Sequence, residues 1–118
     1  MAADIDLNWE WPAKRSIEDR LLVKIDGVEK QGSGLFGIKK SPSLAGSLPD
    51  PYVVHGIIEN GDDKLHGKSV MLVAPKLEIG DVSKGSYVVF GVVNSTTCIC
   101  VVPVANKDVD LKSISCPQ

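Results

Sequence analysis

Five short apolar runs, rich in β-branched residues and separated by turn residues, constrain this chain more than any other feature. They are IEDRLLVKI (17–25), PYVVHGII (51–58), SVMLVA (69–74), YVVFGVV (87–93) and CICVVPV (98–104). Val and Ile fill pleated surfaces well because their χ1 is already restricted, and eleven Gly and seven Pro punctuate the runs. No window of eleven or more residues carries sustained i, i+3, i+4, i+7 apolar spacing, so no long amphipathic helix is expected. Leu21, Val23 and Ile25 alternate with Leu22 and Lys24 as in a half-buried strand. YVVFGVV is apolar almost throughout and should be buried on both faces. Pro103 cannot donate to a ladder, which places it at an edge or a bulge. Lys107–Ile114 could form a helical turn or a strand, with Val109–Ile114 completing the set. The fold class is all-β, a small irregular β-barrel of five to seven strands.

At 118 residues and 12.6 kDa the chain has room for one domain. Thirteen basic against fifteen acidic side chains lack the surplus of a non-specific nucleic-acid binder, so no nucleic-acid partner is expected. No apolar run reaches the ~18 residues of a membrane span, and MAADIDLNWEWP is too acidic for a signal peptide. A soluble, cytoplasmic chain is therefore expected, with no membrane partner. Cys98, Cys100 and Cys116 form an odd set without framework spacing, which fits reduced thiols better than a disulfide scaffold. Residues 1–14 form an N-terminal extension, and the domain proper runs from 15 to 118. Trp9 and Trp11, two apart, share a face of an extended chain and anchor the extension on the barrel or on a neighbouring subunit.

Residues 26–51, DGVEKQGSGLFGIKKSPSLAGSLPDP, are different in kind. A Gly-, Ser- and Pro-rich connection of this length in a small domain is functional or disordered. Leu35, Phe36 and Ile38 lie near its centre and suit a partner-binding segment that folds on contact. Further on, Glu59-Asn60-Gly61-Asp62 carries the Asn-Gly hairpin signal, because both central positions of such a turn need φ > 0.

Other constellations carry less. Cys98-Ile99-Cys100 could supply half a metal site, but i and i+2 in a strand point the same way and no second ligand pair has the spacing, so structural burial is expected. His55 and His66 are isolated, and His55 belongs to an apolar strand as a core or interface residue. Ser69 with Lys76 or Lys84 has the residue types of a Ser–Lys self-cleaving repressor, with Ala45-Gly46 as the scissile pair, but the flanking strands lack that family's Ser-x-Met context. The run from Gly32 to Gly37 lacks the Lys-Ser/Thr and helix of a phosphate loop.

Taken in order, the segments resemble the GroES-like co-chaperonin family, over residues 15–114. Ile17-Glu18-Asp19-Arg20-Leu21-Leu22-Val23-Lys24 is similar to its opening strand. Ser33-Gly34-Leu35-Phe36 sits where the family has its mobile loop, and Tyr52-Val53-Val54-His55-Gly56 is similar to the strand that leaves it. Ile57-Ile58-Glu59-Asn60-Gly61 resembles the roof hairpin, and Asp81-Val82-Ser83-Lys84-Gly85 followed by Ser86–Phe90 resembles the family's Asp-Val-x-x-Gly turn and strand. Three departures suit a phage-encoded member: a longer roof from Gly56 to Asp81, a loop tripeptide that ends in Gly37 so that Ile38 takes the third apolar place, and a longer segment up to residue 16.

The resemblance implies a mobile loop at about 27–49 and a roof region at about 57–80. It implies a homo-oligomeric lid, a heptamer, that binds a GroEL-like chaperonin ring in its ATP-bound state and encloses client proteins. Ser33, Gly34, Leu35, Phe36, Gly37 and Ile38 would bind the chaperonin, and Glu59, Asn60, Gly61 and Asp62 would form the roof hairpin. Ala13–Ile17 and Leu111–Cys116 would pair with neighbouring subunits. Such a lid performs no catalysis, needs no metal or cofactor, and works in the cytoplasm, the host's if phage-encoded. The alternative expectation is a phage structural or decoration protein, also an oligomeric β-barrel.

Overall fold

The structure is a computed structural model that describes residues 4–10, 17–30, 51–60, 64–94 and 96–116. Its elements are β1 (Ile5–Trp9), β2 (Asp19–Lys30), β3 (Pro51–Ile58), β4 (Ser69–Pro75), α1 (Lys76–Ile79), β5 (Tyr87–Val93), β6 (Thr97–Val104) and a 3-10 turn at Leu111–Ser113. The strands close into one barrel in the order β1-β4-β3-β2-β5-β6, so the all-β barrel expectation holds. The pairings β2–β3, β2–β5, β3–β4 and β5–β6 are antiparallel.

Closure depends on residues that the sequence assigns to an extension. β1 lies parallel to both β4 and β6: Ile5, Asp6 and Leu7 pair with Val70, Met71 and Leu72, while Asn8 and Trp9 pair with Thr97 and Cys98. Without it β4 and β6 would each present a row of unmatched backbone groups. Leu7 and Trp9, two apart, both join the barrel core, and Trp9 is only 3% exposed. A reciprocal clasp sets where β1 begins. The Asp4 N–H donates to Ser69 Oγ at 2.9 Å, and the Ser69 N–H donates to Asp4 Oδ2 at 3.1 Å. Trp11 lies outside the described residues.

The interior follows the period of two. Leu21, Val23 and Ile25 of β2, Val54 and Ile58 of β3, Val70, Leu72 and Ala74 of β4, and Val88, Phe90 and Val92 of β5 form one buried cluster with Leu7 and Trp9. Ile79 of α1 joins the same core. At Gly56, paired with Ile25, a Cβ would collide with Val23 Cγ1 and lie 2.7 Å from the Lys24 carbonyl oxygen, so only glycine lets β2 and β3 approach there. Gly85, at φ 95°, turns the chain into β5, and its N–H donates to the Ile25 carbonyl at 2.8 Å.

Several expected boundaries move. β2 runs on to Lys30, paired with Tyr52, so 27–30 belong to a strand rather than to the loop. The expected roof, 57–80, contains β4 and α1, both part of the barrel wall or its plug. Only 59–68 connects β3 to β4. Gly61 and Asp62 of the expected Asn-Gly turn lie outside the described residues. Among the described residues the hairpin's last rungs are Ile58 N–H to Lys68 O at 2.9 Å and Gly67 N–H to Ile58 O at 2.7 Å.

Trp9→Ala should lower the unfolding free energy by about 3–5 kcal/mol, since it empties a core site and loosens the closing strand. Leu77→Ala, at an 88% exposed position, should change it by less than about 0.5 kcal/mol. Urea unfolding of the two variants checks the pair.

Candidate functional site

The outer surface of β2, β5 and β6 is where the barrel departs from a simple inside-apolar, outside-polar pattern. Six of the seven residues of β5 are buried, as the apolar run predicts, and the outer ones need a cover. Pairing aligns two outward rows across the three strands: Leu22, Val89 and Val102, and beside it Arg20, Gly91 and Cys100. The chain after β6 returns over these rows. Arg20 Nε donates to the Ile114 carbonyl at 2.9 Å, Leu111 lies at a cleft shared with Leu22, and Cys116 is joined to Cys100 by a disulfide. Val93, Ile99, Cys100 and Cys116, with half-buried Ile17 and Val102, form a second apolar cluster under this C-terminal strap.

Two local devices make the crossing feasible. Gly91 leaves room: a Cβ there would lie 2.8 Å from Cys100 Sγ and from the end of Ile17. The register between β5 and β6 also shifts, Gly91 pairing with Cys100 but Val92 with Cys98, so Ile99 is the extra residue of a bulge. The bulge breaks the alternation. Cys98 therefore faces the barrel interior while Cys100 joins the outer cluster.

This overturns the expectation of three reduced thiols and of Cys98 and Cys100 sharing a face. Cys100 and Cys116 are bonded, and only Cys98 is free and buried. Burial pushes the Cys98 thiol up from 9.0 to about 12. Leu111–Cys116, expected as an edge strand for a neighbouring subunit, instead covers its own barrel. Ala13–Ser16 lie outside the described residues.

Asn60 is the polar centre of the cleft beside the strap. Its Oδ1 accepts from the Leu22 N–H at 2.7 Å, and its Nδ2 donates to the Arg20 carbonyl at 2.9 Å. β3 ends at Ile58, so the amide side chain stands in for the next peptide of that strand and completes β2's ladder. Asn60 is thus a 7% exposed brace rather than an exposed turn residue. The Asn60 carbonyl accepts from His66 Nδ1 at 2.9 Å, which assigns a proton to that ring nitrogen. Glu59, His66, Lys107, Asp108, Val109 and Leu111 complete a cleft of about 300 Å³. Its charges are mixed, so it selects neither anions nor cations.

Ser33, Gly34, Leu35, Phe36, Gly37 and Ile38, with Gly61 and Asp62, lie outside the described residues. His55 is on the outward face, its Nε2 3.4 Å from Glu29 Oε2, and is not a core residue. Ser69 is engaged with Asp4, while Lys76, beyond the other end of β4, donates to the Gly80 carbonyl at 3.0 Å, so these two form no Ser–Lys pair. Among the described residues no three His, Cys, Asp or Glu side chains converge on a metal position, and no helix is long and apolar enough to cross a membrane. Compared with known families, curated proteins and solved structures, the chain matches none of them.

Asn60→Ala leaves the Leu22 N–H and the Arg20 carbonyl without their partner, and should cost about 1–3 kcal/mol by chemical denaturation. Cys98 makes a pH prediction. Between pH 9 and about 12 the unfolded thiol has lost its proton and the folded one keeps it. Stability should therefore be flat with respect to this group below pH 9 and fall above it by on the order of 1 kcal/mol per pH unit. Cys98→Ala, assayed across the same range, should remove that slope.

Proposed function

We propose that this chain is a co-chaperonin: a homo-oligomeric lid that binds a chaperonin ring through the segment between β2 and β3. The observation that carries the reading is the attachment of that segment. Lys30 and Tyr52 face each other as the last pair of an antiparallel ladder, and two residues suffice to join such strands. Here twenty residues, 31–50, make the connection. The connection carries Leu35, Phe36 and Ile38 as the large apolar residues between Val28 and Leu44.

The stem is well suited to present such a segment. β2, β3 and β4 pair side by side up to that end, Pro51 facing Pro75, so the segment is launched from a three-stranded sheet. In the proposed lid, binding orders the segment and each contact is weak for its area. Several copies on one ring multiply the avidity by roughly 10²–10⁴. Weak single contacts then allow release when the chaperonin's nucleotide state changes. Ring assembly has a candidate edge as well. Among the described residues β6 pairs with β1 only at Thr97 and Cys98, leaving 100–104, which include Pro103, without a strand on that side. The order of segments shared with GroES-like lids supports the same reading, and a chaperonin partner would place the chain in the cytoplasm.

The test is co-sedimentation with a chaperonin ring in the presence and absence of ATP, with the free protein's native mass measured alongside. Seven chains of 12.6 kDa give about 88 kDa. A trimer that ignores the chaperonin would instead favour a phage decoration protein. Phe36→Ala should keep the melting temperature and the oligomer mass yet lose about 2 kcal/mol or more of binding per site. If the variant melts earlier and still binds, Phe36 belongs to the core and the reading fails.

A further inference from the structure

We propose that the C-terminal strap is a redox-operated clasp, closed by the Cys100–Cys116 disulfide and opened by dithiol reduction without unfolding of the barrel. The proposal stands on the geometry of the strap and does not depend on the co-chaperonin reading.

The strap has little to hold it apart from the disulfide. From Ala105 to Ser115 no residue is buried, and only Val109, Leu111 and Ile114 reach half-burial. The 3-10 turn is held by contacts within itself, Asp110 Oδ1 accepting from the Lys112 N–H and the Asp110 carbonyl accepting from the Ser113 N–H. The bond from Arg20 Nε to the Ile114 carbonyl ties it to β2. Segments with few buried apolar contacts belong to the low-stability end of a structure and open on their own. The barrel beneath does not share that weakness, since its core cluster is assembled from all six strands and owes nothing to residues beyond Val101.

Cys100 and Cys116 are 5% and 9% exposed, so a reductant reaches the bond through local opening of the weakly packed residues 105–115 that lead up to it. In the reaction one thiolate of a dithiol attacks a disulfide sulfur and the second thiol resolves the mixed disulfide. The Cys100–Cys116 bond breaks, both sulfurs take up protons, and the dithiol is oxidised to its own disulfide. The remaining thiol does not interfere. Cys98 faces the barrel interior on the other side of the Ile99 bulge, so it cannot exchange with the pair. Opening would uncover Val93, Ile99 and Val102 and remove Lys107, Asp108, Val109 and Leu111 from the cleft at Asn60.

The full-length oxidised chain, the same chain after dithiothreitol, and Cys116→Ser are compared by hydrogen-exchange mass spectrometry. In both thiol forms the amides of 107–115 should exchange at least about tenfold faster while β2 and β5 keep their protection. Trypsin should cut at Lys107 or Lys112 only in those forms, and oxidised glutathione should restore the slow pattern in the reduced chain but not in Cys116→Ser. Three results would overturn the proposal: a strap equally protected when reduced, loss of barrel protection together with the strap, or a bond that dithiothreitol cannot reach without denaturant.

Discussion

The backbone hydrogen bonding of β2 is the constraint on which the rest of the structure depends. Its twelve residues outrun both neighbours: β5 pairs with Asp19–Lys24 and β3 with Val23–Lys30. At about 3.3 Å per residue such a strand has a length comparable to the molecule's largest extent of 37 Å. Each end must therefore satisfy its backbone by other means. At the start, Asn60 replaces the missing β3 rungs with a side-chain amide, and at the far end the sheet of β2, β3 and β4 runs on to the twenty-residue connection.

The two ends consequently have different tasks. The start of β2 is where the chain's own C-terminus lies across the barrel, with Arg20 and Leu22 as its seat. The far end leads into the connection through which the proposed lid would engage its partner. These sites share one strand but no residues. A lifted strap would leave the β2–β3 stem intact, and an engaged connection would leave the strap in place. Among the described residues the barrel's buried cluster is assembled from the six strands and Ile79, with no member from the strap.

Most of the barrel was legible in the residues. The five apolar runs became β2 to β6 within a few residues, because a period of two and a supply of Val and Ile leave little choice of secondary structure. YVVFGVV was correctly read as buried on both faces. Gly91, in the middle of that run, was the one available sign of a close crossing, although what crosses there could not be named. The cysteines misled for a geometric reason. Alternation places residues i and i+2 together, and a bulge of one residue cancels that rule for Cys98 and Cys100. Asn60 misled because an amide that suits a tight turn also mimics a peptide group.

The sequence by itself determined the fold class, the strand identities and the position of the long connection, all properties of local pattern: side-chain branching, alternation and turn chemistry act over a few residues. Only the tertiary structure decided that residues 5–9 close the barrel in parallel with β4 and β6, that Asn60 braces β2, and that Cys116 reaches Cys100 across Gly91. Each of these joins segments far apart in the chain. Their partners are chosen by which backbone groups and apolar faces remain unmatched once the strands have assembled, and no local pattern records that remainder.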